Sequence, residues 1–139
     1  MSVQTETIQL SSLGNGDVHD ITADIAQALQ RSGLTRGVVV IFCPSSTSAL
    51  TTLEFEPGCV RDLQRLFDEI ASPKREYAHN ARWGDGNGHS HVRAALLGPS
   101  LTVPFMGGRL TLGTWQQIVY VDFDNRQRRR ELIVQIMGE

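Results

Sequence analysis

Two stretches near the end of the chain, Ile118-Val119-Tyr120-Val121-Asp122-Phe123 and Leu132-Ile133-Val134-Gln135-Ile136-Met137, are apolar at nearly every position instead of at alternate ones. Successive side chains of an extended chain point to opposite faces. Ile118 and Tyr120 therefore oppose Val119, Val121 and Phe123, while Leu132, Val134 and Ile136 oppose Ile133 and Met137. A strand with two apolar faces has to be covered twice, by a second layer of its own chain or by another subunit. A free sheet would show one polar face, and of the two covers an oligomer is the expectation.

The remainder of the chain supplies the other layers. Val38 to Phe42, bounded by Gly37 and Pro44, is a β-branched run that reads as a central strand covered on both faces. Val3 to Ser11 suits an extended chain, with Asn15-Gly16 as a turn. Asp20 can cap a helix that carries Ile21, Ile25, Ala28 and Leu29 at helical spacing and stops at Gly33. Ala49 to Phe55 reads as a strand, and Pro57 opens a second helix with an apolar stripe of Val60, Leu63, Leu66, Phe67 and Ile70, ended by Ser72-Pro73. Arg75 to Gly88 has no clean period and reads as the longest loop. His91 to Leu97 fits a short helix stopped by Gly98-Pro99. Leu101 to Met106 and Leu110 to Leu112 are further strands, with turns at Gly107-Gly108 and Asn125. The expectation is an α+β fold of packed, mainly antiparallel sheets with two or three helices, as one domain over residues 1–139.

A chain of 139 residues buries a sizeable core without disulfides or a structural metal. Cys43 and Cys59 lie in or beside apolar segments, outside any Cys-x-x-Cys spacing, and read as buried reduced thiols. A net charge of -2 gives no basis for a general nucleic-acid binder, which needs a surplus of basic residues over a whole face. Met1 to Leu10 has no basic and apolar leader pattern, and no run approaches the ~20 apolar residues of a membrane span. A cytoplasmic location without membrane contact is the expectation.

Candidate chemistry gathers in the C-terminal half. His79, His89 and His91 surround the glycine-rich loop with Asp85 nearby, the ligand types that hold zinc or a related divalent ion while leaving a position open. On an extended segment His89 and His91 point the same way, whereas on a helix they diverge by ~200°, so only one reaches a common ion. Ser45, Ser46, Thr47 and Ser48 follow a buried strand, where hydroxyls and amides either meet an oxyanion or form a plain polar turn. Glu54 on the next strand is a candidate general base or a surface glutamate. Arg126, Arg128, Arg129 and Arg130 are either a solvated turn offset by Asp122, Asp124 and Glu131 or a source of guanidinium forks for phosphate. Trp115 reads as core or as a stacking platform, and the amide of Gln116 needs a partner.

Leu112-Gly113-Thr114-Trp115-Gln116-x-Ile118, preceded by Gly108 and Leu110, resembles the signature of the YjbQ-like proteins, the secondary thiamine-phosphate synthase family. His91 followed by Ala94, Leu97-Gly98 and Ser100, then Val103-Pro104, and Asp124 with Arg128 and Arg130 extend the likeness. Upstream, Phe42-x-Pro44 with Thr47, Ala49-Leu50-Thr51 and Glu54 also agrees. The resemblance implies a homotrimer whose polar pockets involve neighbouring subunits. It also implies a weak transferase activity joining a hydroxymethylpyrimidine diphosphate to a thiazole phosphate with release of pyrophosphate. On that basis His79, His91 and Glu54 are the candidate catalytic residues. Ser45, Ser46, Thr47, Asn87, Thr114, Gln116 and Arg128 are candidates for the phosphorylated ligand, and His79, Asp85 and His91 for a divalent ion, magnesium or zinc.

The chain also departs from the family pattern. Members usually carry a His-Thr-Thr-Ala segment after the proline and Asn-Glu at its end; here the sequence is Ser45-Ser46-Thr47-Ser48 and Leu53-Glu54. A hydroxyl cannot replace an imidazole as ligand or acid/base. The alternative expectation is therefore a catalytically silent metal- or phosphate-binding trimer, with His89 as a candidate to compensate for Ser45.

Overall fold

The computed structural model describes residues 1–139. Five strands form one antiparallel sheet in the order β1-β8-β3-β5-β6: Ser2–Ser12 (β1), Arg128–Gly138 (β8), Arg36–Phe42 (β3), Ser100–Met106 (β5) and Arg109–Leu110 (β6). Three form a second, in the order β2-β7-β4: Asp17–Asp20 (β2), Gln117–Asp122 (β7) and Ser48–Leu53 (β4). All pairings are antiparallel. The helices are Thr22–Ser32 (α1), Pro57–Ile70 (α2), Ala78–Trp83 (α3) and Gly88–Leu97 (α4). The whole is one α+β domain.

The doubly apolar strand β7 explains the layering. Ile118 and Tyr120 face the large sheet and join Val39, Ile41, Val103, Phe105, Leu132, Val134 and Ile136, with Ile25, Ala28 and Leu29 of α1 closing the end of this core. Val119 and Val121, continued by Phe123, face the other way and pack with Ala49, Phe67 of α2 and Ala94 of α4. The small sheet is thus the middle layer. Every apolar residue of β7 is at most 1 % exposed.

Strands β3 and β8 receive only one of their two expected covers from their own chain. Within one chain they are covered on one face only: Val39 and Ile41 are buried, while Val38 and Val40 are half-buried and Phe42 is 41 % exposed. On β8, Ile133 and Met137 are likewise half-buried. The register aligns Val38 with Met137 and Phe42 with Ile133, so these side chains form one outward apolar face. The composition of a central strand is present without its second cover.

Local readings failed where short elements interrupt loops. Strand β2 follows the Asn15-Gly16 turn, and Asp20 still serves the helix, accepting the Thr22 N–H at 3.0 Å and the Thr22 hydroxyl at 2.6 Å. Helix α3 lies inside the segment read as one long loop, and α4 starts at Gly88, three residues before the expected His91. The strand expected at Leu110 to Leu112 is confined to Arg109–Leu110. The stripe of α2 buries fully only Phe67, with Leu66 and Ile70 at 48 % and 43 % exposure. No helix is long and apolar enough to cross a membrane.

Candidate metal centre and adjoining cleft

Two short helices meeting end to end place the histidines. Helix α3 carries His79 in its first turn and ends at Gly84, whose φ of 66° lets the chain reverse through Asp85. Helix α4 then presents His91 one turn in. Gly88 makes the approach possible, because a Cβ there would lie 2.5 Å from Tyr77 Cβ. Its N–H donates to Asn80 Oδ1 at 2.8 Å, tying the start of α4 to α3.

The result brings His79, Asp85 and His91 together, with one ligand atom from each within 4.8 Å of the others. The two imidazole rings have centroids 4.5 Å apart. Asp85 Oδ1 lies 3.2 Å from His79 Nδ1 but out of line for a hydrogen bond, which leaves that nitrogen buried without a hydrogen-bond partner. A buried, unpaired ring nitrogen facing a carboxylate and a second imidazole suits a shared cation. Two nitrogens and one oxygen match zinc-type preference better than that of magnesium, which favours oxygen throughout.

His89 is not part of this group. Two positions before His91 on a helix, it is turned away, 4 % exposed, with its ring 6.4 Å from that of Tyr77. Burial, and then the charge of Arg93, push its pKa below the ordinary value. The expectation that His89 compensates for Ser45 therefore fails on helical geometry.

Ser45 and Ser46 do reach the site. With Ser48, His91, Ala94, Ala95 and Pro99 they line a cleft of about 270 Å³. Thr47 is turned inward: its hydroxyl donates to Asp124 Oδ2 at 3.0 Å and accepts from Arg130 Nη2 at 2.8 Å. Asn87 is also internal, 7 % exposed, with Nδ2 donating to Asp124 Oδ1 at 3.3 Å and Oδ1 accepting the Asn125 N–H at 3.1 Å.

The remaining candidates lie elsewhere. Glu54, Thr114 and Gln116 line a second cleft of about 440 Å³ with Thr52, Leu53, Gly113 and Trp115. Gln116 Oε1 accepts the Gly113 N–H at 3.0 Å and its Nε2 donates to Thr52 Oγ1 at 3.1 Å, which supplies the partners its amide needs. Trp115 is 72 % exposed in a turn, so it belongs to no core. Ser48 lines the first cleft and Thr52 and Leu53 the second, so about 13 Å of β4 at the usual rise of a strand lies between them. Arg128 lines a third recess with Ser11, Ser12, Leu13, Gln127 and Arg129, and its Nε donates to Asp124 Oδ2 at 3.2 Å.

The arginine cluster is divided by burial, an outcome neither sequence reading contained. Arg126 and Arg129 are exposed, but the Arg130 side chain is only 14 % exposed and pairs with Asp122, itself fully buried. Burial works against the Arg130 charge, yet the hydrogen bonds and charge of Asp122 raise its pKa. Burial likewise opposes ionised Asp124, and hydrogen bonds from Asn87 and Thr47 with the charges of Arg128 and Arg130 outweigh it, lowering its pKa. The signal for these carboxylates was present in Val121-Asp122-Phe123-Asp124: acids set inside an apolar strand require buried partners.

The sequence model of the family described as UPF0047 protein YjbQ-like matches residues 6–139. A UPF0047 protein of Methanothermobacter thermautotrophicus is 35% identical over 130 residues, spanning 94% of this chain and 90% of its own. The UPF0047 protein YugU of Bacillus subtilis is 33% identical over 134 residues, spanning 96% and 98%. Among solved structures, a YbjQ-like protein of unknown function from Sulfolobus solfataricus P2 superimposes with a TM-score of 0.94 at 33% identity, over 99% of both chains. A hypothetical protein from Aeropyrum pernix K1 does so at 0.91 and 31% identity, over 98% of this chain and 99% of its own. The chain belongs to the YjbQ-like UPF0047 family.

Proposed function

Taking that membership as the premise, we propose that this protein is a metal-dependent, low-turnover transferase that joins a hydroxymethylpyrimidine diphosphate to a thiazole phosphate with release of pyrophosphate. The observation that carries the reading is the convergence of His79, Asp85 and His91 beside the hydroxyl-lined cleft of Ser45 and Ser46. In the reaction the methylene C–O bond breaks with its electron pair leaving on the diphosphate, and the thiazole nitrogen forms the new C–N bond. The protein has to bind phosphates and align two rings. His79, Asp85 and His91 would hold a divalent ion, which when bound would supply positive charge toward the departing diphosphate. The hydroxyls of Ser45 and Ser46 donate to phosphate oxygens in the same cleft. Glu54, Thr114 and Gln116, with the exposed ring of Trp115, offer polar edges and a flat face to a heteroaromatic ring.

Those two groups lie at opposite ends of β4, so a single chain does not present them to one substrate. Assembly as a homotrimer, with one copy's cleft completed by the next, reconciles them. The outward apolar face of β3 and β8 supports self-association.

A second reading, a non-catalytic metal- or phosphate-binding trimer, is favoured by the serine at position 45 in the cleft wall. Metal content and pyrophosphate release, measured on one purified sample of the native chain and of Ser45→His, separate the two. Native turnover that disappears in His91→Ala supports the transferase. Metal bound without pyrophosphate release, together with a gain of turnover in Ser45→His, supports the binder.

A further inference from the structure

The cleft that holds His91 has two walls from distant parts of the chain: the loop carrying Ser45 and Ser46, and helix α4. The far end of α4 is pinned by backbone, since the Leu50 N–H donates to the Gly98 carbonyl at 3.0 Å and the Cys43 N–H to that of Pro99 at 2.8 Å. Its near end, which aims His91, is tied to α3 by the Gly88 N–H bond to Asn80 and to the end of β7 by Ser90 Oγ, 2.6 Å from the Phe123 carbonyl oxygen, and Asp124 links that end to the loop. One carboxylate oxygen, Oδ2, accepts from Thr47 Oγ1 at 3.0 Å on the loop side. The other, Oδ1, accepts from Asn87 Nδ2 at 3.3 Å at the start of α4.

The Asn87 amide is fixed in this orientation. Its Oδ1 takes the Asn125 N–H at 3.1 Å and lies 2.7 Å from Ser90 Oγ. Turning the amide over would set its NH2 against that N–H and its oxygen against the carboxylate. The neighbouring acid acts elsewhere, since Asp122 grips Arg130 through two bonds of 2.7 and 3.0 Å, whereas Asp124 meets Arg130 only at 3.5 Å. Asp122 joins the sheets; Asp124, which also accepts from Arg128 Nε at 3.2 Å, makes one contact to each wall of the cleft.

We infer that Asp124 is a positioning residue: acting through Thr47 and Asn87, its buried carboxylate sets the spacing between the Ser45-Ser46 wall and the His91 helix, and with it the geometry of the metal ligands. This rests on the reading of His79, Asp85 and His91 as a metal site. Partners lying behind metal ligands tune affinity by orienting them.

Cobalt(II) titration, read from the visible spectrum of the bound ion, tests the assignment on the native chain, Asp124→Asn, Asn87→Ala and Phe105→Leu. Phe105 lies in the core away from this network, so its truncation lowers thermal stability without touching the walls. Asp124→Asn and Asn87→Ala are expected to weaken binding roughly 10- to 100-fold with the circular dichroism of the fold retained, while Phe105→Leu leaves affinity unchanged. Asn87→Ala keeps the carboxylate-arginine pairs and so answers the question if Asp124→Asn does not fold. Native affinity in both site variants, or an equal loss in Phe105→Leu, overturns the inference. If the native chain binds no cobalt or zinc, the metal reading fails by itself. Positioning is then read from NMR cross-peaks between the His79 and His91 rings, whose loss in both site variants but not in Phe105→Leu supports it and whose retention overturns it.

Discussion

Arg130 on β8 donates through Nε to Asp122 Oδ2 at 2.7 Å and through Nη2 to Asp122 Oδ1 at 3.0 Å, so one bidentate pair ties the large sheet to the small one inside the protein. Asp122 is fully buried, and a carboxylate there without its guanidinium is an uncompensated charge. Arg130→Ala is therefore expected to cost about 3–5 kcal/mol in urea unfolding. Arg130→Lys keeps the charge but loses the fork, and is expected to recover only part of that loss.

Asp124 sets part of the acid limb of stability. Its pKa in the folded protein is depressed below its ordinary value of 3.8, so the contribution is fully present above that value and is lost as pH falls through it toward the folded pKa. The stability gap between the native chain and Asp124→Asn should be largest near neutrality, about 3 kcal/mol for a broken buried pair, and should close progressively below about pH 4. Urea midpoints at several pH values check this. A gap that widens on acidification contradicts the ionised, paired state of Asp124.

The same residues show how far sequence reasoning reaches. Periodicity showed that Ile118 to Phe123 must be covered on both faces but left open whether its own chain or another subunit does so; the structure supplies both covers of β7 from one chain. Sequence reasoning grouped His79, His89 and His91 around one loop, and of these the structure brings the rings of His79 and His91 to 4.5 Å while helix α4 turns His89 inward. It missed α3, since Ala78–Trp83 buries no residue fully and so leaves no apolar stripe to detect. It read the arginines as a solvated turn offset by Asp122, Asp124 and Glu131 or as phosphate forks, and neither alternative contained the buried pairs, because charge pairing between β7 and β8 depends on sheet packing that no local pattern encodes. The split of Glu54, Thr114 and Gln116 from the histidines is likewise a property of the path of β4, absent from motif spacing.

Gly88 is a packing requirement for the histidine site. A methyl group there would meet Tyr77 Cβ at 2.5 Å and Cγ at 2.7 Å, with Asn80 Oδ1 at 3.1 Å. Since the nearest atoms belong to a side-chain root and not to a flexible tip, α3 and α4 must separate. Gly88→Ala is expected to destabilise by about 1–3 kcal/mol and to weaken zinc binding, whereas Gly84→Ala, whose added Cβ meets nothing within 4 Å, should leave α3–α4 packing intact apart from the strain of its positive φ. Thermal melts with parallel zinc titrations measure both.

Metal affinity should follow ligand count. His79→Ala and His91→Ala each remove one of three donors that converge within 4.8 Å, while both rings are only half-buried, so each substitution should abolish measurable zinc binding with little change in unfolding free energy, on the order of 1 kcal/mol or less. Ser45→His places an imidazole in the wall that already faces His91 and is expected to tighten zinc binding. Unchanged zinc affinity in both alanine variants would remove the metal site from the molecule.

The outward face of the large sheet provides the test of assembly. Val38, Val40 and Phe42 on β3 align with Met137, Gln135 and Ile133 on β8, and Thr102 and Pro104 of β5 continue the rows beside them. Phe42 and Met106 remain 41 % and 70 % exposed in the single chain, a poor surface for a monomer in water. Because Phe42 faces away from the core, Phe42→Glu should leave the fold and its circular dichroism unchanged while opposing burial of that face against another copy. Light scattering after size exclusion is expected to give a trimer for the native chain and a monomer for Phe42→Glu. If turnover draws Ser45 and His91 from one copy and Gln116 from the next, pyrophosphate release should disappear with the trimer, while zinc binding by His79, Asp85 and His91, which one chain supplies alone, should persist.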